Sequence, residues 1–127
     1  MSHFTHIKTR IQNLGYLENA LARLDIIFEK NKKVIQGYQS QNHEVNLVIP
    51  QTNGYDIGFN WNGEEYELIV DLSFWNQPWS LEMFMEKLSQ SYANETILSE
   101  SAKQGFQQVK QTTNNDGSIS LILERWN

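Results

Sequence analysis

Cysteine is missing from all 127 residues, which removes disulfides, thiolate nucleophiles, zinc knuckles and iron–sulfur ligation by this chain and fits a reducing compartment. Long apolar runs are missing as well. The opening MSHFTHIKTR has no signal-peptide core, and no later stretch approaches the roughly 18 apolar residues of a membrane span, so the chain reads as soluble, without membrane insertion. Basic residues are scarce: ten against fifteen acidic ones, a formal net charge of -5. That balance repels a phosphate backbone unless Lys and Arg gather on one face, and it disfavours general nucleic-acid binding. G-x-S-x-G, G-x-G-x-x-G and P-loop signatures do not occur. Histidine is present only three times, and no His or carboxylate spacing specifies a metal. Nothing calls for a cofactor, no catalytic residue is assigned, and the reading leans away from an enzyme. What is present is apolar and aromatic, 39% and 12% of residues with four tryptophans. A chain of this length and composition folds, most simply as a single domain over 1–127.

The most informative stretch is YDIGFNWNGEEYELIVDLSFWNQPW, residues 55–79. Tyr55, Ile57, Phe59 and Trp61 alternate as in a strand with one buried face. Asn62-Gly63 suits a two-residue type I′ turn, because Asn tolerates positive φ and Gly adopts it freely. That turn pairs Trp61 with Glu64, Phe59 with Tyr66, Ile57 with Leu68 and Tyr55 with Val70, and puts both apolar sets on one face.

Before it, residues 3–11 read as a strand with Thr5, Ile7, Thr9 and Ile11 on one face and Phe4, His6, Lys8 and Arg10 on the other. Asn13 is placed to cap a short helix whose Leu14, Leu17, Leu21 and Leu24 form its core stripe. Residues 26–28 and 34–35 flank EKNKK as a short hairpin with a basic, solvated loop, and YQSQN reads as loop. Val45, Leu47 and Ile49 alternate as another strand until Pro50 ends it. After the central hairpin, Pro78 ends extended structure and Ser80 caps a long helix with Leu81, Phe84, Met85, Leu88 and Tyr92 on its apolar stripe. This helix runs to about Gln104, or splits in two with a bend near Asn94, and Gly105 ends it. A closing hairpin, Phe106 to Thr113 with Ser118 to Trp126, suits a three-residue Asn115-Asp116-Gly117 loop with Val109 facing Leu123, Gln111 facing Leu121 and Thr113 facing Ile119. The order predicts an α+β fold: a largely antiparallel sheet of six to seven strands with one short and one long helix packed on one side.

Two clusters carry possible chemistry. Asp56, Glu64, Glu65, Glu67 and Asp71 could act as paired carboxylates, but Glu65, Glu67, Asp71 and Asp56 fall on the face opposite the aromatic set, where solvated charges belong. The connector FWNQPW offers Phe74, Trp75 and Trp79, with Trp61 and Tyr66 on the hairpin, as a partner or ligand surface, since Trp presents a large rigid area and a donor. The competing reading of the connector is a lid packed over the end of the core.

MSHFTHIKTRI, IGFNWNGEEYELIVDLSFWNQ and QGFQQVKQTTNNDGSISLILERW together resemble the hypothetical chloroplast reading frame thirty-five (Ycf) family, across essentially the whole chain. The resemblance implies a lineage of algal chloroplast genomes and cyanobacteria, hence chloroplast stroma or cyanobacterial cytoplasm. It assigns no site residue. The expectation is a non-enzymatic accessory or interaction protein that binds a protein partner through the Trp75–Trp79 connector and the adjoining hairpin edge. The alternative is a small-molecule binder or enzyme with a pocket between the long helix and the sheet. Oligomeric state is not legible.

Overall fold

The computed structural model describes residues 3–115 and 118–125. In chain order the elements are β1 (Phe4–Ile11), α1 (Leu14–Arg23), β2 (Val34–Gln36), β3 (Asn42–Glu44), β4 (Leu47–Ile49), β5 (Ile57–Trp61), β6 (Tyr66–Asp71), α2 (Leu81–Lys103), β7 (Phe106–Thr113) and β8 (Ile119–Arg125). All strand pairs are antiparallel. Four strands form the central sheet in the order β1-β6-β5-β4, while β2-β3 and β7-β8 are separate two-stranded ribbons. The α+β class, the antiparallel pairing and the short and long helix are as the sequence predicts.

The helices start where side-chain caps allow. Asn13 Oδ1 accepts from the Tyr16 N–H at 3.0 Å and Ser80 Oγ from the Met83 N–H at 3.2 Å, each satisfying one donor of a first turn that has no intrahelical partner. Helix α2 is continuous through Asn94 and stops at Gly105, φ +87. Leu17, Ala20 and Leu21 of α1 and Phe84 and Leu88 of α2 pack on Leu47, Ile49, Ile57, Phe59, Leu68 and Val70 of the sheet. Each such fully buried Val, Leu, Ile or Phe side chain contributes about 2 kcal/mol relative to exposure. The second half of α2 is held differently, by polar contacts to α1. Ser91 Oγ donates to the Ala20 carbonyl (2.8 Å), and the buried Glu95 carboxylate accepts from Asn19 Nδ2 (3.0 Å), Arg23 Nε (2.9 Å) and Ser99 Oγ (2.9 Å).

The opposite sheet face is also covered, by a second core of Ile35, Val45, Val48 and Ile69 with Phe4 against it. This corrects three expectations. Residues 26–28 do not pair with 34–35; β2 pairs instead with β3, Ile35 facing His43, so part of the polar YQSQN segment is strand. Val45 does not share a face with Leu47 and Ile49, because the chain bends at Asn46 and turns Val45 into the second core. Asp56 and Asp71 are not solvated, being 3% and 2% exposed, because the β2-β3 ribbon and the connectors close over that side.

The central hairpin keeps its faces and changes its register. Trp61 pairs with Tyr66 and Phe59 with Leu68, two residues from the type I′ expectation. Of Asn62 and Gly63 it is Gly63 alone that takes positive φ (+104), the Asn62 N–H donates to the Glu65 carbonyl (3.0 Å), and Asn62 Oδ1 accepts from the Glu64 and Glu65 N–H groups (2.9 Å each). The turn is therefore centred between Gly63 and Glu64. A shift of two preserves parity, so Phe59 and Tyr66 remain on the core side. In the closing ribbon Thr113 faces Ile119 and Gln111 faces Leu121 as predicted, whereas an irregularity at Val109 sets Gln108 opposite Leu123. Asp116, Gly117 and Trp126 lie outside the described residues.

Candidate docking surface around Trp79

The connector from β6 to α2 is fixed by a knot of amides. Asp71 Oδ1 accepts from the Ser73 N–H (3.1 Å) and starts a single 3-10 turn, Leu72–Phe74. Buried Gln51 donates through Nε2 to the Phe74 carbonyl (2.9 Å) and accepts at Oε1 from the Asn76 N–H (2.8 Å) and Gln77 Nε2 (3.1 Å). Phe74 stacks on Tyr55 with ring centres 3.7 Å apart. Trp75 lies edge-on to Phe84 at 5.3 Å, and its Nε1 donates to the Trp79 carbonyl at 2.9 Å. Trp75 is thus the lid over the end of the core. Trp79 is half-buried, its ring 5.2 Å from Lys87 Nζ, and it borders open space.

The five sequence-predicted residues do not form one surface. Phe74, Trp75 and Trp79 sit beyond Asp71 at one end of β6, whereas Trp61 and Tyr66, ring centres 5.0 Å apart, sit at the other. Five strand steps of about 3.4 Å put roughly 17 Å between those ends.

What borders Trp79 is a segment whose role sequence reasoning missed. The exit of α1 closes with the Asp25 N–H donating to the Ala22 carbonyl (3.0 Å) and the Ile26 N–H to the Leu21 carbonyl (3.0 Å), which places Asp25 at φ +58. This is a Schellman closure with Asp in the position glycine favours. Ile26 then packs on the core, while Ile27 is 78% exposed. Leu24, Ile26, Ile27, Ile49, Pro50, Gln77, Pro78 and Trp79 line an open groove of about 370 Å³. The available signal was Pro50 and the alternation of Leu24, Ile26 and Phe28, which fits a strand face as well as a helix exit.

The charges near this groove are apportioned unevenly. In the lysine-rich loop, Lys30 Nζ pairs with Glu18 (2.9 Å) and Lys32 Nζ with buried Asp56, so two of its three cations are neutralised. Four of the five carboxylates of the predicted acidic cluster each serve a different partner. Asp56 also accepts from the Gln51 N–H (2.8 Å), Asp71 from the Tyr38 N–H (3.1 Å) and Glu65 from the Arg10 N–H (2.8 Å), while Glu67 lies 3.3 Å from His6 Nδ1. His43 lies edge-on to both Phe4 and His6. Among the described residues no group of three His, Asp or Glu is placed to hold a metal ion, and no helix is long and apolar enough to cross a membrane.

Fold and surface define a small α+β protein, a four-stranded antiparallel sheet clad on both faces, with an open apolar groove between the exit of α1 and a tryptophan-bearing connector. Residues 20–122 match the family described as "Protein of unknown function (DUF1257)". The chain is 48% identical over 127 residues to "Uncharacterized protein ycf35" of Pyropia yezoensis, covering 100% of this chain and 99% of the relative. It is 47% identical to the protein of that name from Guillardia theta (99% and 98% covered) and 53% identical to that from Trieres chinensis (93% of each). No solved structure matches the chain. The chain belongs to the ycf35 family, and these relatives come from plastid-bearing organisms.

Proposed function

We propose that this chain is a non-enzymatic interaction protein, acting as one domain in the chloroplast stroma or cyanobacterial cytoplasm, with the groove between Ile27 and Trp79 as its partner surface. The observation that carries the reading is Ile27, 78% exposed beside Trp79 in a groove of about 370 Å³. A β-branched side chain held in water next to a half-open indole is the arrangement a partner's apolar side chain covers with gain. The polar groups nearby are already occupied: Gln51, Asp56 and Asp71 hold the connectors and do not converge on the groove.

The test is affinity capture from algal or cyanobacterial extract with the wild type and an Ile27→Ser, Trp79→Ala double variant of verified fold. Loss of a partner from the variant supports the surface, and retention of every partner refutes it.

A second reading, a small-molecule binder, has one observation behind it. The space between α2 and the central sheet is filled by Phe59, Leu68, Phe84 and Leu88. Between α2 and β8, however, a cavity of about 200 Å³ is lined by Gln90, Ala93, Asn94, Ile97, Ile119 and Leu121, and Asn94, 4% exposed, has no hydrogen-bond partner for Oδ1 among the described residues. Chemical-shift mapping with a fragment library checks it: shifts confined to these residues favour this reading, and an unresponsive cavity removes it.

A further inference from the structure

From Leu24 to Glu29 the chain alternates: Leu24, Ile26 and Phe28 pack against the core, while Asp25, Ile27 and Glu29 are exposed. This is the pattern of a strand with one buried face, and at one point the segment does join the sheet. The Glu29 N–H donates to the Val48 carbonyl (2.8 Å) and the Val48 N–H to the Glu29 carbonyl (2.9 Å). Such a reciprocal pair turns the backbone groups of Glu29 toward β4, so those of Phe28 and Lys30 point away from it.

The ladder stops after that single bridge, for identifiable reasons. Pro50 stands where Ile27 would find its partner, and it has no N–H to give. At the other end the chain bends at Asn46, whose N–H goes to the Phe59 carbonyl (2.8 Å). The segment is thus an unfinished outer strand. Among the described residues no hydrogen bond reaches the Phe28 backbone, and an open depression borders Phe28 to Lys32.

The opposite outer strand, β1, is guarded. It presents exposed Lys8 and Arg10 and is broken by an irregularity between Lys8 and Ile11, devices that blunt pairing with another chain. The Leu24–Glu29 segment carries no basic residue, and its one left-handed residue, Asp25, lies near its start. Its exposed row reads acid, apolar, acid, and among the described residues neither the Asp25 nor the Glu29 side chain has an ion pair. Asp25 stands at φ +58, where glycine would be unstrained.

We propose that this edge accepts an extended segment of a partner protein as an added β-strand, and that the segment carries an apolar residue with a basic residue two positions away on each side. Added in register, such a strand sets its basic side chains opposite Asp25 and Glu29 and its apolar one opposite Ile27, at cross-strand spacing. The Phe28 N–H and carbonyl supply main-chain hydrogen bonds, and the groove shared by Ile27, Pro50 and Trp79 takes the apolar side chain. This rests on the interaction reading above and specifies the kind of partner.

The experiment is fluorescence anisotropy at low salt with the full chain and a labelled, end-blocked peptide, Thr-Lys-Thr-Val-Thr-Lys-Thr. Its controls are a peptide with Glu in place of both Lys and a peptide N-methylated at the two Thr flanking Val. We expect the basic peptide to bind at least about tenfold more tightly than either control, two exposed ion pairs giving about that factor over the Glu peptide and two lost main-chain hydrogen bonds about that factor over the N-methylated one. In an Asp25→Asn, Glu29→Gln variant of unchanged urea midpoint, the preference for Lys over Glu should fall to about twofold or less. Equal binding of the N-methylated peptide, no binding of the basic peptide, or an unchanged charge preference in the variant overturns strand addition. If any of these occurs while the Ile27→Ser, Trp79→Ala variant still loses a partner from extract, strand addition fails and the interaction reading stands; if that variant loses none, both fail.

Discussion

Gly58→Ala probes the cladding of the second sheet face, on which the positions of β4 and its neighbours depend. A Cβ at Gly58 would lie 2.4 Å from Val45 Cγ1, 3.0 Å from Val45 Cβ and 3.2 Å from Ile35 Cδ1. Carbon atoms rest about 3.5–4.0 Å apart, so the Val45 methyl must retreat by about 1 Å or the β2-β3 ribbon must lift. Neither is easy. Val45 follows directly on β3, and its N–H donates to the Lys33 carbonyl at 2.8 Å. Overpacking of a core costs about 1–3 kcal/mol, and two contacted side chains place this site in the upper half, about 2–3 kcal/mol. Gly58 has no positive φ, so the loss is steric and not conformational. With a slope of about 2 kcal/mol per M urea, the midpoint should fall by about 1 M. Val45→Ala alone removes two buried methyl groups, worth about 2 kcal/mol, yet it also clears the closest clash. The double variant should therefore lose about 1–2 kcal/mol less than the sum of the two single losses. An unchanged midpoint for Gly58→Ala, or strictly additive losses, would refute the packing of Val45 against Gly58.

Three further outcomes follow from particular contacts. Glu95→Ala removes the acceptor shared by exposed Asn19 and Arg23 and half-buried Ser99, donors that can turn to water, and should cost about 1–2 kcal/mol in urea unfolding, whereas Arg23→Ala, which leaves two donors on the carboxylate, should cost less; equal losses would contradict the network. The Glu100 carboxyl is held below the usual carboxylate range, first by the Tyr16 hydroxyl, which donates to it at 2.7 Å, and then by the Lys103 ammonium. A carboxyl held low in the folded state adds stability above its unfolded pKa and loses it as pH falls through the folded one, so the carboxyl titration followed by NMR should move upward in Tyr16→Phe, and an unmoved midpoint would count against the contact. Asp25→Gly should raise stability by about 1 kcal/mol by relieving a left-handed Asp, and a loss on thermal or urea unfolding would show that φ +58 is not a strain.

Local signals carried the architecture, and nonlocal ones were hidden. Caps at Asn13 and Ser80, the stop at Gly105 and the parity of Phe59 and Tyr66 depend on neighbours within a few residues, and each is as the sequence predicts. The hairpin register slipped by two because the Asn62 side chain, acting as acceptor, competes with the backbone turn that Asn-Gly otherwise favours. Asp56 and Asp71 read as solvated because alternation reports which face a residue takes, and says nothing about a ribbon, Val34 to Glu44, folding over that face from elsewhere in the chain. Ser91 and Glu95 are polar yet buried, since α1 supplies partners that no pattern within α2 reveals. At the site, Trp79 was visible as an aromatic in a proline-bearing connector. Ile27 was not, because its exposure depends on Pro50 ending a ladder between segments more than twenty residues apart.

The openness of the Leu24–Glu29 edge is most directly tested by amide hydrogen exchange on the free protein, resolved at Phe28, Glu29 and Val48. Slow exchange at Glu29 and Val48, which bond each other, with Phe28 exchanging far faster, is the predicted result. A Phe28 amide as protected as that of Val48 would mean that the edge is already paired and that no partner strand can add there.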